Sequence, residues 1–300
     1  MATKKAASAK KSRTTPKKQA TTKVTTVKAD TATTAKSTTA AKTATVTTKG
    51  RAILQGRSPL LGAFIGEFVG TFILATVALI VSGNALLVGF ALVALVLVIG
   101  AVSGSHVNPL ITVGAWVTRK ISGKRALGYV GAQILGAMLA LVVMTAFSSA
   151  APTADDAQQN MMMMQQTPQL FQMEPITSET KGTWYVFFAE ILGAAILGFV
   201  VASAMRERRE RTAQAFTFGL GYFAALTVAG GAASFATLQV IINPALALSM
   251  QAIAWPIQDV WSILVYVIAP IVGGVAGFFL YDLVRSQNAS SDDTLLHHQV

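Results

Sequence analysis

Residues 103–114 read Ser-Gly-Ser-His-Val-Asn-Pro-Leu-Ile-Thr-Val-Gly, and a second pair, Asn243-Pro244-Ala245, stands in a comparable apolar setting. An Asn side chain caps a helix by accepting from the first free backbone N–H groups, and Pro at the first helical position sacrifices no hydrogen bond. Each pair therefore predicts a helix start, over Pro109–Val117 and over Pro244–Gln251. Both segments are apolar, yet far too short to cross about 30 Å of hydrocarbon. Placed between longer apolar runs, they read as re-entrant half-helices.

Working outward, each Asn-Pro pair belongs to a repeat. Glu67-Phe-Val-Gly70 opens a long apolar run and Asn108 follows forty-one residues later; Glu190-Ile-Leu-Gly193 opens another, and Asn243 follows after fifty-three. Each half comprises three long runs with the short segment between its second and third. Three crossings per half invert the second half relative to the first, so the short segments come from opposite faces and meet near the midplane. Their positive dipole ends then point at one another and repel cations. The amides of Asn108 and Asn243 stand where they can donate to a passing oxygen, which disfavours proton conduction along a hydrogen-bonded file. Two ordinary Asn-Pro turns are the alternative, and their matching positions in repeated halves argue against it.

Composition agrees with a membrane body. Of 300 residues, 53% are hydrophobic and 12% charged, against about 25% charged in soluble domains; the mean hydropathy is +0.55. Cysteine is absent and there are three histidines, two of them His297 and His298, which excludes disulfide scaffolds, thiolate chemistry and a multi-histidine metal centre in the apolar part. Six runs serve as spans: Leu60–Val81, Ala85–Val102, Arg125–Phe147, Trp184–Met205, Ala213–Ala229 and Val260–Val284. The expected fold is an all-α membrane protein, six transmembrane helices plus two re-entrant half-helices in an inverted repeat. Small residues recur every four positions at Gly62, Gly66 and Gly70, and again at Gly273 and Gly277, a pattern that lets helices approach closely.

The net charge of +11 is unevenly distributed. Residues 1–57 hold fourteen Lys/Arg and one acid, leaving ten Lys/Arg and twelve acids for the remainder. This Ala/Thr/Lys/Ser segment has no aromatic residue, and such a composition reads as a disordered tail. A solvated cytoplasmic arm brushing anionic headgroups and a nucleic-acid-binding arm are its two readings; no apolar run follows its charges, so it does not read as a secretory signal. Arg119, Lys120, Lys124 and Arg125 follow the second span, and Arg206, Arg208, Arg209 and Arg211 follow the fourth. The other connections are nearly free of positive charge, so both termini are expected inside, in the plasma membrane. The organisation is then a tail (1–57), a membrane body (58–287, with halves 58–150 and 183–287 joined by a long outer loop, 148–182) and a C-terminal tail (288–300). Met161–Met164 on that loop form a cluster able to take soft metals, a weak pattern on one homopolymeric run.

With these residues in place, the chain resembles the aquaporin and glyceroporin (major intrinsic protein) family over about residues 60–284. Tyr129-x-x-Ala-Gln-x-Leu-Gly136 and Pro270-Ile-Val-Gly-Gly274 extend the likeness. The resemblance implies a pore in every monomer, a homotetramer, and the pore motifs Asn108-Pro109-Leu110 and Asn243-Pro244-Ala245. It implies that Glu67 and Glu190 support the re-entrant loops rather than carry protons, and that His106 buttresses the first half-helix. The backbone carbonyls of Gly104–Val107 and Gln239–Ile242 are implied as the ladder that replaces hydration.

One departure stands out. Where the family normally has an arginine after the second motif, this chain has Leu246. Counting from the two motifs, with Gly219-Leu220 as the fifth-span anchor, gives Val88, Leu226, Val240 and Leu246 as the selectivity constriction, an apolar ring without a donor or a fixed charge. Such a ring either dewets and gates or, being wider, admits bulkier neutral solutes; the second reading is preferred. The expected function is a passive channel for water and small uncharged solutes such as glycerol, within the lipid bilayer. A secondary transporter and a membrane anchor for a basic lipid- or nucleic-acid-binding tail are the alternatives. No nucleophile stands beside a base, so an enzyme is not expected, and neither a cofactor nor a bound metal is implied.

Overall fold

The structure is a computed structural model that describes residues 59–150, 170–207, 209–253, 256–257 and 259–296, with side chains to Ser286. The basic tail, Met161–Met164, Arg208, His297 and His298 lie outside the described residues. In chain order the helices are α1 (Pro59–Ile80), α2 (Ala85–Ile99), α3 (Pro109–Val117), α4 (Gly123–Ser148), α5 (Thr183–Ala204), α6 (Arg211–Ser234), α7 (Pro244–Ser249), α8 (Trp261–Ile263) and α9 (Ala269–Leu296). A π turn, Leu264–Ile268, joins the last two. Pro270 accounts for it: its ring removes the N–H that would bond Tyr266 and crowds that residue's carbonyl, and a wider turn relieves both.

Among the described residues, five helices are long and apolar enough to cross a membrane: Leu60–Ile80, Gly123–Ser148, Thr183–Ala204, Arg211–Ser234 and Trp261–Ser286. The sixth, α2, has 15 residues and is about 22 Å long, shorter than the Ala85–Val102 run suggested. After Ile99 the apolar sequence continues, but the chain turns through Gly100–Ser103 into the re-entrant loop, and Ser105 Oγ donates back to the Leu95 carbonyl (3.0 Å) to fasten that turn.

Two half-motifs pack in mirrored fashion. α1 packs on α4 as α5 packs on α9, α1 on α2 as α5 on α6, and α2 meets α6 at the centre. The half-helices cross over: α3 touches α5 and α9, while α7 touches α1 and α4. This is the contact pattern of an inverted repeat.

Close approach depends on glycine at particular crossings. A Cβ on Gly89 would stand 2.8 Å from the Gly219 carbonyl, at the α2–α6 contact. Gly273 and Gly277 of α9 face the Ile191 and Ala195 carbonyls of α5. Gly70 faces the side chains of Ile99 and Val107, whereas Gly62 faces open space, so the sequence periodicity on α1 overstated its packing role. Gly89→Ala is expected to cost about 1–3 kcal/mol through overpacking, while Gly62→Ala costs nothing. Thermal unfolding of the detergent-solubilised protein separates the two.

The basic residues gather at one end of the bundle, here the basic face. Lys120, just after α3, and Arg206, just after α5, both reach Asp282 of α9, at 2.6 Å and 3.3 Å. At the opposite, loop face, Trp184 meets Phe187 and Trp261 edge-on, with ring centroids 5.5 Å and 5.3 Å apart, the kind of aromatic cluster that suits a membrane–water boundary.

Candidate pore and its outer cavity

Both half-helices start as their sequences dictate. Asn108 is extended, at φ −157°, and its side chain accepts from Leu110 N; Asn243, at φ −151°, accepts from Ala245 N and Leu246 N. Proline follows in each case, and Pro109, Leu110, Pro244 and Ala245 are all buried. The side-chain amides then reach across the repeat. Asn108 Nδ2 donates to the Ile242 carbonyl (2.9 Å), and Asn243 Nδ2 donates to the Val107 carbonyl (3.1 Å). An amide NH2 has two hydrogens, so each asparagine keeps one donor beyond this cross-link.

The residues just before the asparagines carry the strain of the reversal. Val107 (φ 41°) and Ile242 (φ 46°) are β-branched residues in the left-handed region, a conformation that costs about 1–3 kcal/mol each. Two buried carboxyls hold them there. Glu67 accepts from His106 N (3.0 Å), Val107 N (2.7 Å) and Gln133 Nε2 (2.8 Å). Glu190 accepts from Ile241 N (2.6 Å) and Ile242 N (2.9 Å). The third donor is peculiar to the first half, because Pro270 occupies in α9 the place of Gln133 in α4.

His106 is buried, with Nδ1 3.1 Å from Thr112 Oγ1 and its ring edge-on to Tyr129 at 5.2 Å. Thr112 Oγ1 in turn donates to the Asn108 carbonyl. The imidazole is thus tied to the first turn of α3. A tyrosine from each half also fastens its loop: Tyr129 donates to the Ser103 carbonyl, and Tyr266 donates to the Gln239 carbonyl. Comparing the halves residue by residue would have found Tyr266, since the two tyrosines follow their asparagines at similar spacing.

Of the carbonyls expected to line a ladder, Val107, Gln239, Ile241 and Ile242 each accept from a side chain of the protein. Those of Gly104, Ser105, His106 and Val240 have no protein donor among the described residues. These four carbonyls keep their full accepting capacity.

Toward the loop face lies a cavity of about 250 Å³. Val88, Leu226, Val240 and Leu246 all line it, so residues chosen from four separate segments come together on one space. Val88 (1% exposed) and Leu246 (1%) sit deep in the bundle. Among the described residues no Lys or Arg lines the cavity, and its polar groups include Ser82, Gln239 and Tyr222. The further lining residues, not anticipated, include Phe171 and Met173 from the loop before α5, and Met250 from the end of α7. The length of that loop was the available signal, since long loops within compact folds are uncommon and often functional.

This geometry lies within the stretch that known proteins match. The family model described as major intrinsic protein matches residues 55–281. The chain belongs to the major intrinsic protein family. It is a multi-pass membrane channel for water and small solutes. Relatives include aquaporin AqpM of Methanothermobacter marburgensis, 26% identical over 74% of this chain and 97% of that protein. Aquaporin NIP3-1 of Arabidopsis thaliana is 25% identical over 77% of this chain and 70% of its own. The solved structure of the aquaglyceroporin from Plasmodium falciparum superposes with a TM-score of 0.55 at 22% identity, covering 74% of this chain and 96% of that one; this likeness speaks for the fold. Membership leaves open which solutes this major intrinsic protein admits, and that question turns on the cavity.

Proposed function

We propose that this channel conducts water together with uncharged solutes of glycerol size, and that Val88, Leu226, Val240 and Leu246 form its selectivity constriction. The observation that carries the reading is the outer cavity itself, which these four apolar side chains help to line and which, among the described residues, no cationic side chain lines. At about 30 Å³ per water, its 250 Å³ accommodates several water molecules. Ser82, Gln239 and Tyr222 give it polar edges, which favours a wet mouth over a dewetted gate.

Below the cavity, the positive ends of α3 and α7 face each other, and each asparagine has one hydrogen to offer a solute oxygen. Ion exclusion rests on these dipoles and amides, because the ring contributes no fixed charge. Glu67 and Glu190 are supports: their oxygens are committed to backbone N–H groups of the two loops, which argues for a channel over an ion-coupled transporter. His106 braces α3 through Thr112.

The finer placement follows from charge. Arg119, Lys120, Lys124, Arg125, Arg206, Arg209 and Arg211 flank the basic face, so by the positive-inside tendency that face is cytoplasmic, both termini included. The body is residues 58–287, between tails 1–57 and 288–300, in the plasma membrane as a homotetramer with one pore per chain.

Reconstitution into proteoliposomes tests the reading. Shrinkage under an impermeant osmolyte is expected to outpace that of empty vesicles, with solute flux linear in the gradient and no ionic conductance across a planar bilayer. Saturable flux driven by an ion gradient would overturn it.

A further inference from the structure

The ring of Val and Leu side chains lacks a bulky member, and the structure supplies one from outside the helices. Phe171 lines the same cavity as the four ring residues. Its place within the cavity can be read from the α1–α2 turn: a Cβ on Gly83 would lie 3.8 Å from Phe171 Cε1 and 3.7 Å from Met250 Cε. The aromatic edge therefore approaches the wall made by Ser82 and Gly83, on the loop-face side of the space.

A side chain on a loop limits passage only if the loop is held. This one is fastened at several points within a few residues. Met173 N donates to the Met250 carbonyl at 2.8 Å, which ties the segment to the end of α7. Ser262 Oγ donates to the Ile176 carbonyl (2.8 Å), and Ser178 N donates to Asp259 Oδ2 (2.7 Å), tying it to the start of the last span. Asp259 also accepts from Trp261 N (3.0 Å); these backbone donors hold its carboxyl below the usual carboxylate range. Met173 and Ile176 are buried, at 6% and 1% exposure, while Phe171 between the fastenings and the cavity is half-buried. Residues 173–178 thus form a fixed rim, and Phe171 stands two residues before its first fastening.

We infer that Phe171 is a specificity-determining side chain of this channel, a loop-borne aromatic that sets the cross-section the apolar ring leaves open. This rests on the proposed solute-conducting function. A phenyl edge offers no hydrogen bond to replace those of hydration, so it discriminates by size. Its effect is therefore small for water and grows with the solute's girth.

The test compares wild type, Phe171→Ala and Phe171→Trp in proteoliposomes, with water, glycerol and erythritol fluxes measured on the same vesicles. Phe171→Ala is expected to raise the erythritol-to-water permeability ratio by about tenfold, equal to ~1.4 kcal/mol of barrier, and Phe171→Trp to lower the glycerol-to-water ratio. Water flux reports whether each variant is folded and open, so the ratios are read on conducting protein; of the two, Phe171→Trp keeps an aromatic in the rim. Ratios unchanged in both variants would overturn the assignment, whatever wild type conducts. A wild type that passes water but no glycerol would overturn the broader solute reading alone; glycerol passage appearing in Phe171→Ala would then still uphold Phe171.

Discussion

Glu67→Ala is expected to abolish both flux and a stable fold. The carboxyl has three donors, two backbone N–H groups and Gln133 Nε2, all buried. Removing the acceptor leaves His106 N and Val107 N without a partner, at about 1–3 kcal/mol apiece, and leaves Gln133 Nε2 with Thr112 Oγ1 alone (2.9 Å). It also frees Val107 from φ 41°, and Val107 holds the carbonyl to which Asn243 donates. The damage therefore crosses from one half-helix to the other. Glu190→Ala follows the same logic with two donors, so its loss is smaller. Glu67→Gln and Glu190→Gln retain one acceptor oxygen and fall between wild type and the alanine variants. Thermal unfolding in detergent and proteoliposome water flux, measured together, give the order. A Glu67→Ala protein with native stability and native water flux would contradict the proposed supporting role.

The second large effect concerns selectivity. Leu246→Arg places a planar cation with five donors at the wall of the outer cavity, beside Val88, Leu226 and Val240. Glycerol permeability is expected to fall by about tenfold or more, since narrowing by ~1.4 kcal/mol of barrier suffices for that. Water flux falls far less, because a guanidinium hydrogen-bonds water while it narrows the space. Leu246→Met is the control that keeps the site apolar. Glycerol flux unchanged or increased in Leu246→Arg would remove Leu246 from the constriction.

Much of the architecture was legible because its chemistry is local. The half-helices start at Asn108 and Asn243 through an N-cap and a following proline, and both signals sit within a few residues of chain. Val88, Val240 and Leu246 could be counted out from those two anchors and Leu226 from Gly219-Leu220, and all four line one cavity. What escaped the sequence was set by distant partners. The end of α2 is hidden in an unbroken apolar run, because the turn at Gly100 is fastened by Ser105 rather than by a change in polarity. Half of the expected carbonyl ladder already accepts from Tyr266, Tyr222, Asn108 and Asn243, donors that no spacing rule brings to those positions. Gly62 shares the four-residue period of Gly66 and Gly70 but meets nothing. Phe171 and Met173 carry no periodic signature at all; only the fold brings them to the pore mouth.

An apolar outer ring is proposed to make this a channel for uncharged solutes larger than water. Stopped-flow light scattering on wild-type proteoliposomes under a glycerol gradient tests it most directly. Rapid shrinkage followed by rapid re-swelling as glycerol enters is expected, both faster than in empty vesicles. Rapid shrinkage with re-swelling no faster than in empty vesicles would contradict it, and would mean that the cavity passes water alone.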